Sequence, residues 1–172
     1  MPLTKIKSLG ITDGTIVNAD INASAAIAGT KISGSFGKVL QVVTATDSTQ
    51  RGTTSTSFVL ASSTLTLSIT PSSASSKIFI ISSTYWGNTS SGISTFGTIF
   101  RDSTDLGSAS NKGLCHHYSN GGNRSAAICM TLDSPSTTSA ITYEFRHRVE
   151  SGTSQINFDS CEGSITAFEI GA

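Results

Sequence analysis

The sequence predicts an all-β protein: an antiparallel, jelly-roll-like β-sandwich of about eight strands with an extended N-terminal arm. Three observations carry this. Ser and Thr make up about a third of the 172 residues while Leu is scarce, and a helical bundle draws on Leu, Ala, Glu and Lys. Several segments alternate apolar and polar residues with period two, the pattern of a half-buried strand. These segments recur at regular spacing between Gly, Pro, Asn and Asp turns, as in sandwiches and barrels.

Composition also excludes classes. Charged residues are 13% of the chain, about half the roughly 25% of ordinary soluble domains. Low charge with plentiful β-branched residues argues against intrinsic disorder. Eleven Lys and Arg balance eleven Asp and Glu with no basic block, which excludes a typical nucleic-acid binder. No apolar run approaches the roughly 18–20 residues of a membrane span, so no membrane insertion is expected. The opening residues MPLTKIKSLG lack the apolar stretch of a secretory signal.

Residues 1–36 form the predicted arm. Ile6, Ile11, Ile16, Ile21, Ile27 and Ile32 recur at steps of five, once six, a spacing that suits neither a helix nor a simple strand. The segment has too little apolar surface for a core of its own. Fully burying one isoleucine contributes roughly 1.5–3 kcal/mol, whereas ordering costs roughly 1–2 kcal/mol per residue. The six isoleucines are therefore expected to dock on sister chains or a partner, ordering mainly on assembly. Asp20 to Ala28 suits one helical turn.

Residues 37–172 form the predicted knob. KVLQVVTAT (Lys38–Thr46) is a β-branched first strand. Phe58-Val59-Leu60 reads as a short edge strand. TLTLSIT (Thr64–Thr70) alternates with Leu65, Leu67 and Ile69 on one face, and Pro71 ends it because proline cannot donate to a ladder. KIFIISSTYW (Lys77–Trp86) begins as a continuous apolar run and reads as a central strand. STFGTIFR (Ser94–Arg101) follows, with Asp102 to Asp105 as a turn. RSAAICMTL (Arg124–Leu132) is next, turning at Asp133-Ser134-Pro135. In AITYEFRHRV (Ala140–Val149), Ile141, Tyr143, Phe145, His147 and Val149 oppose Thr142, Glu144, Arg146 and Arg148. Gln155–Asp159 and Ser164–Ile170 close the sheet. Asp105 to Asn123 is left as a long loop rich in Gly, Ser and Asn, a length usually reserved for function or mobility.

Few residue patterns suggest chemistry. Cys115, Cys129 and Cys161 are odd in number, and without a secretory signal a disulfide framework is not expected. Cys129, in an apolar run, reads as a small buried side chain. Cys115-His116-His117 and His147 lack the CxxC or HxxxH spacings of structural zinc sites. No Gly-x-Ser-x-Gly elbow is present. Glu144, Glu150, Asp159 and Glu162 offer a carboxylate pair of glycosidase type only if the fold converges them. Tyr85, Trp86 and Asn88 at one strand end, with His116, His117 and Tyr118 in the long loop, are candidate glycan or partner contacts. Alternatively Trp86, the one tryptophan, is a core anchor. Arg146 and Arg148 flanking His147 suggest a subunit interface, or else a solvated outer face.

The arm PLTKIKSLGITDGTIVNADINASAAIAGTKIS resembles N-terminal segments of tail-fibre-like and other surface proteins of tailed bacteriophages, aquatic ones especially. SITPSSASSKIFII, TIFRDSTDLG, LDSPSTTSAITYEFRHR and SITAFEIGA are similar, in that order, to C-terminal domains of such proteins. The resemblance implies a non-enzymatic virion structural protein at the virion surface, commonly a homotrimer, with no cofactor. Its partners would be sister chains and other virion proteins, either a major capsid protein or a tail adaptor. The sequence departs from that pattern in having no fibrous region between arm and knob. About 36 extended residues reach only about 120–130 Å, which implies a short tail fibre or a capsid decoration (cement) protein. A lectin-like adhesin domain recognising host surface glycans is the alternative.

Overall fold

The computed structural model describes residues 38–107, 112–120 and 122–171. The isoleucine arm, including the expected helical turn at 20–28, lies outside the described residues. So do parts of the 105–123 loop.

Twelve strands are described: β1 Val39–Asp47, β2 Arg51–Thr53, β3 Val59–Leu60, β4 Thr66–Ile69, β5 Lys77–Asn88, β6 Ile93–Arg101, β7 Thr104–Asp105, β8 Cys115–Ser119, β9 Arg124–Asp133, β10 Ile141–Val149, β11 Ser154–Ile156 and β12 Gly163–Ile170. They make two antiparallel sheets. In the first, β1, β12, β5 and β9 lie side by side, and β11 and β2 extend it where β5 runs past β12. In the second, β10 lies between β6 and the edge formed by β3 and β4, and β8 and β7 pair with β6.

With β3 and β4 taken as one interrupted strand and β2, β7 and β11 set aside, eight principal strands remain. In chain order their sheets read 1-8-3-6 and 2-7-4-5, the double Greek key of a jelly roll. The predicted fold class is what forms.

The period-two patterns place the core. Along β10 every odd position from Ile141 to Val149 is buried and every even one is half-buried. Leu65, Leu67 and Ile69 face inward from the second sheet, as predicted, and meet Ile78, Ile80, Ile165 and Ala167 of the first. Trp86 is 1% exposed and joins this cluster, so its core-anchor reading holds.

Four local expectations are corrected. The stretch read as one long loop contains β8, whose Phe96–His116 and Ser94–Tyr118 pairings extend the second sheet. Asp102 to Asp105, read wholly as a turn, supplies β7 at its end. β2 was absent from the predicted strands, because RGT carries no alternation to find. The strand expected over Gln155–Asp159 stops at Ile156. Asn157 and Asp159 adopt positive φ (53° and 55°), which takes the chain out of the ladder into a 3₁₀ turn at Phe158–Ser160.

The disulfide expectation is also overturned. Cys115 of β8 and Cys129 of β9 are joined, with Cα atoms 5.7 Å apart. Counting cysteines could not find this, since pairing depends on the two strands facing each other across the sandwich. Gly97 makes room for it: a Cβ there would lie 2.7 Å from the Cys115 Sγ and 3.0 Å from the Phe145 ring. Cys161 is free and exposed.

Candidate functional site

The predicted contact residues divide among three places. Tyr85 is half-buried on the outer face of the first sheet, its ring 6.4 Å from that of Phe158. Trp86, His117 and Asn88 are buried. Trp86 and His117 meet inside the sandwich with ring centroids 6.3 Å apart. Asn88 accepts the Ser90 N–H at 2.8 Å and donates to the Ser151 carbonyl. His116 and Tyr118 are exposed on the outer face of the second sheet. Alternation of side chains along β5 and β8 separates neighbours in sequence onto opposite faces, so the six do not converge. Trp86, Asn88 and His117 are thus corrected from surface contacts to interior groups.

The carboxylates do not converge either. Glu144 is paired with Arg146 at 2.7 Å on the second sheet. Asp159, in the turn after β11, is paired with Arg124 of β9 at 3.2 Å.

The polar groups between the sheets serve the fold. Asp133 of β9 takes Arg101 Nη1 on both oxygens at 2.8 and 2.9 Å, and accepts the Tyr143 hydroxyl at 2.7 Å. His117 meets the Ser125 hydroxyl at 2.9 Å through Nδ1. His147 meets the Ser154 hydroxyl at 2.9 Å, and burial pushes its imidazole down to about 4. Burial raises the Glu169 carboxyl, but hydrogen bonds from Ser72 and Gln41 outweigh it and bring the group to about 2. Asp47 is likewise opposed by burial, yet Ser62, the Thr49 backbone and Arg51 hold it well below the usual carboxylate range. Each buried acid or imidazole named here already has a structural partner. Among the described residues no group of three or more His, Cys, Asp or Glu is arranged to hold a metal.

The two outer sheet faces differ sharply. On the second sheet, His116 stacks on Phe96 at 4.7 Å, and the Arg148 guanidinium lies 4.1 Å over the same ring. Arg146 lies 4.1 Å over Phe100. Cations on aromatic faces cover the apolar surface while their charged heads stay wet. Arg146 and Arg148, the candidate interface pair, are thus held within the chain.

Among the described residues the three middle rows of the first sheet's outer face have no such cover; at one end of that face Arg124 lies 4.0 Å over Phe158. Register places Val42, Phe168, Phe79 and Leu132 in one row across four strands. Thr44, Thr166, Ile81 and Met130 form the next row, and Thr46, Ser164, Ser83 and Ile128 the one after. Val42, Ile128, Met130 and Leu132 are 50–54% exposed. None of these twelve side chains is charged.

No family profile and no curated protein sequence matches the chain. Among solved structures it is similar to a mutant VP2 protein of infectious bursal disease virus from derived T=1 particles, at 10% identity and TM-score 0.40, covering 75% of this chain and 36% of that one. The T13 particle of the same virus gives 10% identity and TM-score 0.40 over 78% of this chain and 38% of that one. The Gt strain structure gives 12% identity and TM-score 0.37 over 77% and 38%. The chain spans less than two-fifths of the length of the structures it matches. Similarity at this level establishes no shared function.

Two features of the site were not foreseen from the residues. One is the set of polar links between sheets, for which no sequence signal exists because the partners are far apart in the chain. The other is the uncovered apolar face. Its signal was present in RSAAICMTL, where Ala126, Ile128, Met130 and Leu132 alternate with Ala127 and Cys129, so both faces of β9 are apolar.

Proposed function

We propose that this protein is a non-enzymatic structural component of a bacteriophage particle, a self-associating β knob displayed at the virion surface and anchored by its N-terminal arm. The observation that carries the reading is the division of labour in the knob. Its buried ionisable groups are engaged in holding two sheets together, while a broad uncharged apolar face is left outward. Enzymes instead keep perturbed acids and bases aimed into a cleft. The jelly-roll topology supports the reading, since capsid and lectin domains commonly use it, although fold alone does not assign function. The resemblance of the arm and knob to phage surface proteins supplies the phage context. Within the class, a capsid decoration protein or a short tail fibre fits the reading, self-associating in either case.

Antibody raised against the knob should label purified particles in electron microscopy, and the site of labelling separates head from tail. Absence of the chain from particles that infect normally would overturn the proposal. The adhesin alternative retains only Tyr85, His116 and Tyr118 as outward candidates, on two different sheets, and a glycan array using the intact chain tests it.

A further inference from the structure

We infer that the outer face of the first sheet, formed by β1, β12, β5 and β9, is the surface through which this chain binds a second copy of itself. The inference rests on the self-association reading above and names the surface that carries it.

Size comes first. Four strands about 4.8 Å apart, each with three outward positions about 6.8 Å apart, present on the order of 400 Å² in projection. A pleated surface exposes more accessible area than its projection, and a standard interface takes about 800 Å² per partner. The largest apolar patches on ordinary monomers are about 300–600 Å². A patch of this size can form the apolar centre of such a contact, with flanking residues supplying the rim.

Chemistry comes second. Interface cores are depleted of charge and enriched in aromatic residues and Met. The rows described above hold Phe79, Phe168 and Met130 with Val, Ile, Leu, Thr and Ser, and no ionisable group. A second copy brings the same surface, so no like charges meet. Charge lies only at the ends of the face, in Lys77 of β5 and in the Arg124–Asp159 pair. Symmetric assembly of identical chains uses such self-complementary surfaces.

Contrast comes third. On the second sheet the outward aromatics Phe96 and Phe100 are covered by the chain's own His116, Arg146 and Arg148. β5 makes the same point internally: Ile78 and Ile80 are fully buried, yet Phe79 and Ile81 on its other side are only half-buried. A centrally paired strand with apolar residues on both faces suits burial on both.

The test is the solution mass of the intact chain by light scattering after size exclusion, beside an I128K/M130K double variant. L60K is the control, since Leu60 is 41% exposed but lies on the second sheet. Circular dichroism and a thermal melt establish that each variant is folded. The expected result is an oligomer for the parent and L60K. The double variant should be a folded monomer, its dissociation constant raised about a hundredfold or more by burying unpaired lysines. I128S/M130S should weaken assembly less, and serves if the lysine variant does not fold. A double variant with the parent's mass overturns this inference while leaving self-association standing. It also directs attention to the arm of the same chain as the occupant, which limited proteolysis of residues 1–36 would reveal. A monomeric parent at all concentrations overturns both readings.

Discussion

The two outer faces of this sandwich solve one problem in opposite ways. Each β-sheet must bury one face, and each here carries apolar residues on the other as well. The second sheet covers its outward aromatics with cations from its own strands: Arg148 over Phe96, Arg146 over Phe100, and His116 stacked on Phe96. Phe96 is left 3% exposed on what is formally an outer face. The first sheet puts Phe79 and Phe168 outward among Thr, Ser and aliphatic side chains, and Met130 remains 54% exposed. Exposure of a face therefore depends less on its apolar count than on whether a long amphipathic side chain stands in the neighbouring register.

The largest expected effect is a paired truncation. Phe96→Ala removes a ring packed on two sides and should destabilise the knob by about 3–5 kcal/mol in urea unfolding. Leu132→Ser, on the open face and 52% exposed, should cost about 0.5 kcal/mol or less in the isolated chain. Similar costs for the two would dissolve the distinction between the faces.

Acid should act through the interior and spare both faces. His147 is 1% exposed, with its imidazole pushed down by burial to about 4, so between that value and about 6.5 the unfolded chain binds the extra proton. Stability should be complete above about pH 6.5 and fall as the pH drops toward 4. The loss should reach about 3 kcal/mol at most. His147→Gln, measured by denaturant titration at several pH values, should flatten that slope. Below it, the slope should steepen again as Glu169, held at about 2, loses its hydrogen-bonded charge. An unchanged slope in the variant would assign the pH response elsewhere.

Reduction of Cys115–Cys129 probes the seam between the two sheets. The closed loop is short, with a sequence separation of 14, and a loop of that size is worth about 3 kcal/mol in the chain-entropy account. Reductant should lower the melting temperature of the parent and leave a Cys115→Ala/Cys129→Ala variant unaffected. A small effect is expected for Arg146→Ser, about 0.5–1 kcal/mol for one cation on a ring, with a rise in binding of an apolar dye as Phe100 is uncovered. A loss of assembly in that variant would instead move the subunit contact to the second sheet.

The candidate site was less legible than the strands. Tyr85, Trp86 and Asn88 look like one cluster in sequence, yet a strand sends neighbours to opposite faces, and Asn88 is turned inward by its own hydrogen bonds. His117 reads as a loop residue until β8 pairs with β6. The alternation along β10 was readable to the residue because a strand with one buried face leaves no freedom of register. β8, with CHHYS, has no such period to read.

Sequence alone determined the fold class, most of the turns and which face of β4 and of β10 enters the core, since those follow from side-chain period and backbone chemistry local to each segment. Tertiary structure decided the rest: which strands are neighbours, that Cys115 meets Cys129, that Asp133 holds Arg101 and Tyr143, and that cations cover Phe96 and Phe100 while Ile128, Met130 and Leu132 stay half-exposed. Those outcomes depend on groups brought together from distant parts of the chain, and no local pattern specifies which distant group will arrive.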